Sequence, residues 1–290
     1  MDYHIRRAQP GDKKAVAAFT ESTFAWGDYV ADAFDRWLVD PNGILLVAAD
    51  AADSAVAIVR GAMLSPTELW LQGARVHPEW RRRGVASALD ETMETWARSR
   101  GGRVARLAIE DWNTAAQRQV GKLGMRRIGG WMTAWRDAKA AKPIVTGNGG
   151  RRRRPQDRIA AAPSAEAAPA FMAWSAGSLG RAARGLFAIG WTWRRLTLED
   201  LSAAARAGAL WMSPAGWILG AVDNHKDLEI GWVETGQEEI DELLTGVVDL
   251  APELDATHVT LKLPAVDWMR AALERHGFTT EGLVLYAKEL

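Results

Sequence analysis

The stretch Val76–Asp90, VHPEWRRRGVASALD, sets three consecutive arginines and a glycine against the opening turn of an amphipathic helix. From Gly84 onward Val85, Leu89, Met93 and Trp96 recur at steps of four, four and three, one face of a helix that glycines 101 and 102 stop. A helix N-terminus carries unpaired N–H groups and a partial positive charge, so it binds an anion without needing a side chain. Gly84 and Ala86 let a bulky ligand approach the backbone, while Arg81, Arg82 and Arg83 add fixed positive charge. The stretch therefore reads as an anion-binding loop between a strand and a helix.

Outward from this loop the pattern alternates between period two and period 3.6. YHIRRAQ predicts a strand, PGD breaks it, and Asp12 is placed to cap a helix carrying Val16 and Phe19. DYVADAFDRWLV predicts a second helix that DPNG ends. GILLVAAD and AVAIVRGAML predict a hairpin, and TELWLQGARV continues the sheet, with Gly73 marking a bulge or a close backbone approach. Beyond the arginine loop and its helix, VARLAIE predicts a short strand. Asn113 is placed to cap a helix through Ala116, Val120 and Leu123 that ends at Gly124, and WMTAWR is expected to close the unit.

Residues 137–157 combine Pro, Gly, Asn and the run Arg151–Arg154, a domain boundary by composition. The expected organisation is a first domain over 1–140, a linker over 141–157 and a second domain over 158–290. The second half echoes the first. IRRAQPGDKKAVAAFTES is answered by IAAAPSAEAAPAFMAWS, and VGKLGM by LERHGF, so Pro10 matches Pro163 and Gly124 matches Gly277 at one common offset. Between these ends GWVETGQEEIDELL stands where the first half has its arginine loop, and no arginine–glycine pair survives there.

The 290 residues leave room for two domains. The 36 basic and 36 acidic side chains cancel, so the whole molecule presents no net field to nucleic acid or membrane. The balance hides a polarity: Leu71–Arg158 holds 20 Lys and Arg against 8 Asp and Glu, and Leu201–Leu290 holds 6 against 15. With no cysteine there is no thiol nucleophile or disulfide, and the five scattered histidines lack ligand spacing, so no metal is expected. No window approaches a membrane span and the N-terminus lacks a leader pattern, so a soluble cytoplasmic protein is expected. The arginine run at 151–154 reads as a solvated linker; the competing reading, a nucleic-acid patch, ranks last.

The pattern V-x-P-x-x-R-x-x-G-V-A, here Val76, Pro78, Arg81, Gly84, Val85 and Ala86, resembles the cofactor motif of the GNAT superfamily of N-acetyltransferases. NTAAQRQVGKLGM resembles that family's N-x-x-A-x-x-L-Y-x-K-L-G-F segment, and ELWLQGARVHPEW resembles its fourth strand. The similarity covers roughly residues 3 to 136 and is most specific between 70 and 125. With the repeat, it implies an α/β (α+β) chain of two tandem GNAT-like domains. Each would be a mixed, mostly antiparallel twisted sheet flanked by helices, the second copy having lost the cofactor loop.

The resemblance further implies acetyl-CoA, or another acyl-CoA, as co-substrate. The backbone of Val76 would bond the pantetheine arm, the amides from Arg81 through Ser87 would wrap the pyrophosphate, and Asn113 would contact the arm or simply cap its helix. Trp26, Trp70 and Gln72 are expected on the acceptor side. Two departures stand out. The family's tyrosine, which protonates the leaving thiolate, falls on Val120, and a strand glutamate common in related tandem proteins is Gln72. Gln holds an amine by hydrogen bonding but cannot act as a base. Glu110 is then the expected general base; His77 reads as a surface residue.

The expected function is acetyl transfer from acetyl-CoA to a primary amine of a small molecule or peptide, by direct attack. The alternatives are a non-catalytic acyl-CoA-binding or sensing protein and an acyltransferase with a longer donor. The second domain is expected to shape the acceptor side or to offer a homodimer surface.

Overall fold

A computed structural model describes residues 2–21, 23–24, 27–140 and 158–290. The expected linker 141–157, with its arginine run, and Trp26 lie outside the described residues. The chain forms two compact units. The first comprises Met1–Ala108, Ala115–Arg126 and Tyr286–Leu290; the second comprises Ile109–Thr114 and Arg127–Leu285.

In the first unit β1 (Tyr3–Arg7) leads through α1 (Lys13–Thr20) and α2 (Val30–Leu38) to the hairpin of β2 (Gly43–Asp50) and β3 (Ala55–Ser65). Then come β4 (Glu68–Val76), α3 (Val85–Ser99), β5 (Val104–Glu110) and α4 (Thr114–Lys122). The strands lie in the order β1-β2-β3-β4-β5, antiparallel except for the parallel pair β4 and β5. Val16, Val30, Phe34 and Trp37 from α1 and α2 pack on Leu45, Val47 and Ile58, and α3 buries Val85, Leu89, Met93 and Ala97. Each large apolar side chain so buried contributes about 1.5–3 kcal/mol relative to its exposed state.

Asp12 does not cap α1 through its side chain, as its position predicts. The Arg6 guanidinium grips both of its oxygens, at 2.7 and 2.9 Å, and the Gln9 amide donates to it at 2.7 Å. Although burial opposes it, these bonds hold the Asp12 carboxyl below the usual range. The carboxylate thus ties β1 to the turn before α1, a contact that a cap reading from local sequence misses.

After Ile109–Thr114, the second unit takes up the chain again in β6 (Arg126–Asp137), all but its first residue. It continues through β7 (Ala160–Ala161), α5 (Ala167–Ala176), α6 (Ser178–Ala182), the ribbon β8 (Leu186–Ile189) and β9 (Thr192–Arg195), and α7 (Leu198–Arg206). After these come β10 (Leu210–Ser213), β11 (Gly216–Val222), β12 (Asp227–Glu234), α8 (Ile240–Glu253), β13 (His258–Pro264), α9 (Asp267–Arg275) and β14 (Thr279–Glu289). Its main sheet runs β6-β13-β12-β11-β10-β7, with β12 and β13 parallel as β4 and β5 are. The duplication is visible in the elements: α9 and β14 begin 153 residues after α4 and β6 (114 to 267, 126 to 279). Gly124 and Gly277 end the paired helices with φ of +82° and +75°, a left-handed turn that glycine adopts without strain.

The final strands do not stay with their own copies. The strand carrying WMTAWR is expected to close the first unit, yet β6 pairs with β13 from Asp137 opposite His258 to Trp131 opposite Pro264. Its buried Trp131, Met132 and Ala134 face the second core, where Trp131 meets Trp193 edge-on. Conversely Tyr286–Leu290, the end of β14, belongs to the first unit, where the Leu290 N–H donates to the Arg103 carbonyl at 2.9 Å. A strand goes where its ladder is completed and its apolar face covered, whichever copy encoded it.

Glu234, at the end of β12, is 8% exposed, two residues past Trp232, whose ring meets Trp174 edge-on at 5.6 Å. Its Oε2 and both indole N–H groups have no protein partner among the described residues. Burial pushes the carboxyl up to about 7. The folded chain therefore holds this proton at a pH where the unfolded chain has released it, so stability present below pH 4.5 declines as pH rises through about 7. Urea denaturation of Glu234→Gln against wild type is expected to show a gain of about 3 kcal/mol at pH 8 and almost none at pH 4.

Candidate functional site

The ladder between β4 and β5 is short. It runs from Glu68 opposite Val104 to Trp70 opposite Arg106 and goes no further. On the other edge of β4, Gly73 and Ala74 together face the single residue Val59 of β3, a bulge just past the end of that ladder. Gly73 has φ +67°, and a Cβ there would stand 2.8 Å from the Trp37 ring, so both backbone and space require glycine. Past the bulge, His77 donates to the Val56 carbonyl at 2.8 Å on the β3 side. Because strand backbone groups alternate, those of Val76 face the opposite edge, where the ladder has ended. Among the described residues the Val76 carbonyl is approached there only by Arg81 Nε, at 3.4 Å.

A 3-10 turn over Pro78–Trp80 then swings the chain into α3. Arg82 and Gly84 both take positive φ, +63° and +81°, and Gly84 is the N-cap residue. In this conformation the amides of Arg82, Arg83, Gly84, Val85, Ala86 and Ser87 donate to no acceptor among the described residues; the first helical bond is from Ala88 to Gly84, at 3.1 Å. Six successive amides thus form a nest at the positive end of a 15-residue helix. Arg81, Arg82 and Arg83 are all exposed around it. The arginine–glycine stretch singled out in the sequence is thus the strand-to-helix turn that forms this nest.

Tertiary structure adds groups that the motif does not contain. The Tyr3 hydroxyl, from β1, lies 3.7 Å from where a Cβ on Gly84 would stand and has no protein partner among the described residues. The Tyr3 ring meets Trp80 edge-on at 6.3 Å, and the Arg83 guanidinium stands over Trp80 at 5.1 Å. Nothing in the local sequence links residue 3 to residue 84; only the closing of the sheet does.

The remaining expected residues are distributed as follows. Trp70 is buried and its indole N–H donates to Gln72 Oε1 at 2.9 Å, so Gln72 is held from beneath by the ring. Val120 is half-buried on α4, one turn past Gln117, whose side-chain oxygen accepts from the Tyr286 hydroxyl at 3.1 Å. Glu110 and Asn113 fall in Ile109–Thr114, which groups with the second unit. His77 accepts from the Glu79 amide through Nδ1 at 3.3 Å and meets Phe19 edge-on. Between α1 and α2, Asp28 binds Arg75 of β4 at 2.6 Å, while Phe24 and Tyr29 flank that guanidinium at 5.3 and 5.7 Å.

The corresponding helix of the second unit carries opposite charge. α8 has Glu239 at its N-cap and Asp241 and Glu242 in its first turn, and the Glu239 carboxylate fills the space above Gly236. Carboxylates there satisfy the helix dipole and repel a phosphate. Among the described residues no helix is long and apolar enough to cross a membrane, and no three metal-ligating side chains cluster.

These features agree with the comparisons. Residues 14–125 match the model of the acetyltransferase (GNAT) family. No curated protein matches the chain. Among solved structures, a GCN5-related N-acetyltransferase from Sphaerobacter thermophilus is 16% identical with a TM-score of 0.66, over 99% of this chain and 96% of that one. A tandem GNAT protein from the clavulanic acid biosynthesis pathway is 16% identical at a TM-score of 0.55, over 99% and 98% of the two chains. A GCN5-related N-acetyltransferase from Kribbella flavida is also 16% identical, at 0.52, over 100% of this chain and 71% of the other. Residues 14–125 are thus similar to the GNAT family model, and the chain as a whole shares the fold of these GNAT structures, a tandem one among them.

Tyr3→Phe removes one hydroxyl from the edge of the nest. Calorimetry is expected to show pyrophosphate binding weakened about three- to tenfold, the size of one ordinary hydrogen bond, at unchanged melting temperature.

Proposed function

We propose that the chain is an acyl-CoA-dependent N-acetyltransferase that binds its donor at the nest of the first unit. The observation that carries the reading is the run of six amides from Arg82 to Ser87 without acceptors among the described residues, beneath three arginines and beside the abandoned edge of β4. That donor set suits a pyrophosphate, because it supplies N–H groups and positive charge and holds no carboxylate. Asn113 is assigned to the pantetheine arm on the resemblance to the family.

Acetyl-CoA supplies an activated thioester when bound. The amides of Arg82–Ser87 and the arginine side chains hold its phosphates, and the Val76 backbone, facing the open edge, takes the amides of the arm. Gln72, held by Trp70, is fixed to orient an amine by hydrogen bonding but takes no proton. Glu110, the last residue of β5, is the carboxylate proposed to receive the proton that the attacking amine loses. Val120 offers no proton to the departing sulfur, so protonation there falls to water or another group. An amine of low pKa suits such a site best, since it arrives with its lone pair free. Trp26 and Gln72 remain assigned to the acceptor side. The acidic first turn of α8 supports a second copy that binds no coenzyme A.

A second reading, an acyl-CoA-binding protein without catalysis, is favoured by the same Gln72 and Val120. Titration of acetyl-CoA into wild type and Gly84→Glu separates the outcomes. Micromolar binding at one site per chain, lost in the variant, is expected, followed by thiol release that depends on an added amine. Binding without amine-dependent release across a broad amine panel supports the second reading. No binding at all removes both.

A further inference from the structure

The helix that carries the nest is held at its middle by the far end of the chain. On α3, Asp90 and Glu94 sit one turn apart on the same face, two carboxylates that are 13% and 10% exposed. Like charges four residues apart on a helix repel, and burial strengthens the repulsion. Lys288 of β14 answers both: its ammonium lies 3.3 Å from Asp90 and in ion-pair contact with Glu94, which also binds Arg98 at 2.7 Å. Burial pushes Asp90 up, whereas Glu94, despite its burial, is held below the usual range by Lys288 and Arg98. Two residues earlier on the same strand, the Tyr286 hydroxyl binds Gln117 of α4. The strand end therefore grips both α3 and α4 within the first unit, although the second copy encodes it.

Position along α3 gives this clamp an electrostatic meaning. Asp90 lies one turn behind the nest amides and Glu94 two turns behind. Their negative charge opposes any anion bound at the N-terminus unless a cation offsets it, and no other cation binds Asp90 among the described residues. We infer that Lys288 is a positioning residue for the anion site: it fixes α3 and offsets the carboxylates behind the nest. The affinity of the first unit for its donor thus depends on the last five residues of the chain. This rests on the reading of the α3 nest as the pyrophosphate site.

The test uses the full chain and four variants: Lys288→Met, Lys288→Arg, Asp90→Asn and the double variant Asp90→Asn/Lys288→Met. Coenzyme A affinity is read by calorimetry, and hydrogen exchange of the amides of residues 88–94 is read without ligand. Lys288→Met is expected to weaken coenzyme A binding about tenfold and to speed exchange in α3, while Lys288→Arg stays within about twofold of wild type. The double variant is expected to recover most of the affinity, which loss of a merely structural contact would not allow. Asp90→Asn alone is expected to tighten binding about twofold. Unchanged affinity and exchange in Lys288→Met overturn the inference. Should that variant not fold, unchanged or weaker binding in Asp90→Asn overturns it. A wild type that binds no coenzyme A overturns the proposed function instead, and the exchange comparison then decides the clamp alone.

Discussion

The turn into α3 leaves six backbone amides without acceptors among the described residues, and much of the first unit is arranged around them. Water satisfies such groups when they are exposed, so they cost little in a loop; they become a site only if the loop is held in one conformation. Here the holding comes from several directions. Two residues at positive φ turn the N–H groups the same way, Arg83 stacks on Trp80, and Tyr3 from the first strand closes the side of the glycine. The bulge at Gly73, seated on the Trp37 ring, accompanies the parting of β4 from β5 and leaves the Val76 edge open beside the nest. Every one of these is a backbone or packing feature. The chemistry rests on them because a helix end offers a field and hydrogen bonds but no selectivity of its own.

Duplication has been followed by divergence of charge more than of shape. The helices and strands of the second copy repeat those of the first, including the parallel strand pair and the left-handed glycine after the penultimate helix. What changed is the helix that follows the parallel strand: arginines in one copy, carboxylates in the other. The charge at a helix end is set by a few exposed side chains, so a few substitutions suffice to reverse it while the core survives. Glu234, buried at the end of β12, shows the same copy tolerating a carboxyl whose proton is held by desolvation.

Much of this was legible in the chain. The hydrophobic periods located α2, α3 and the hairpin of β2 and β3, because each has a buried face that fixes its repeat, whereas α4 was marked by its flanking Asn113 and Gly124. Gly73 announced its bulge, and the arginine–glycine stretch announced the nest, since helix ends and tight turns are local events written in neighbouring residues. The errors were non-local. Asp12 looks like a cap until Arg6 is seen to bind it, and the strand carrying Trp131 looks like the end of the first unit until β13 is seen to pair with it. Burial of Trp70 and its bond to Gln72 were likewise invisible in the sequence.

By itself, then, the sequence determined the fold class, the duplication and the position of the nest, because periodicity and turn chemistry act over a few residues at a time. Tertiary structure alone decided which copy's last strand completes which unit. It likewise decided that Tyr3 borders Gly84 and that Lys288 meets Asp90 and Glu94 across nearly two hundred residues of chain. The physical reason is that a strand end or a lysine has no local preference for its partner. Its place is set by the ladder it completes and the charge it offsets, and both appear only once the sheet has closed.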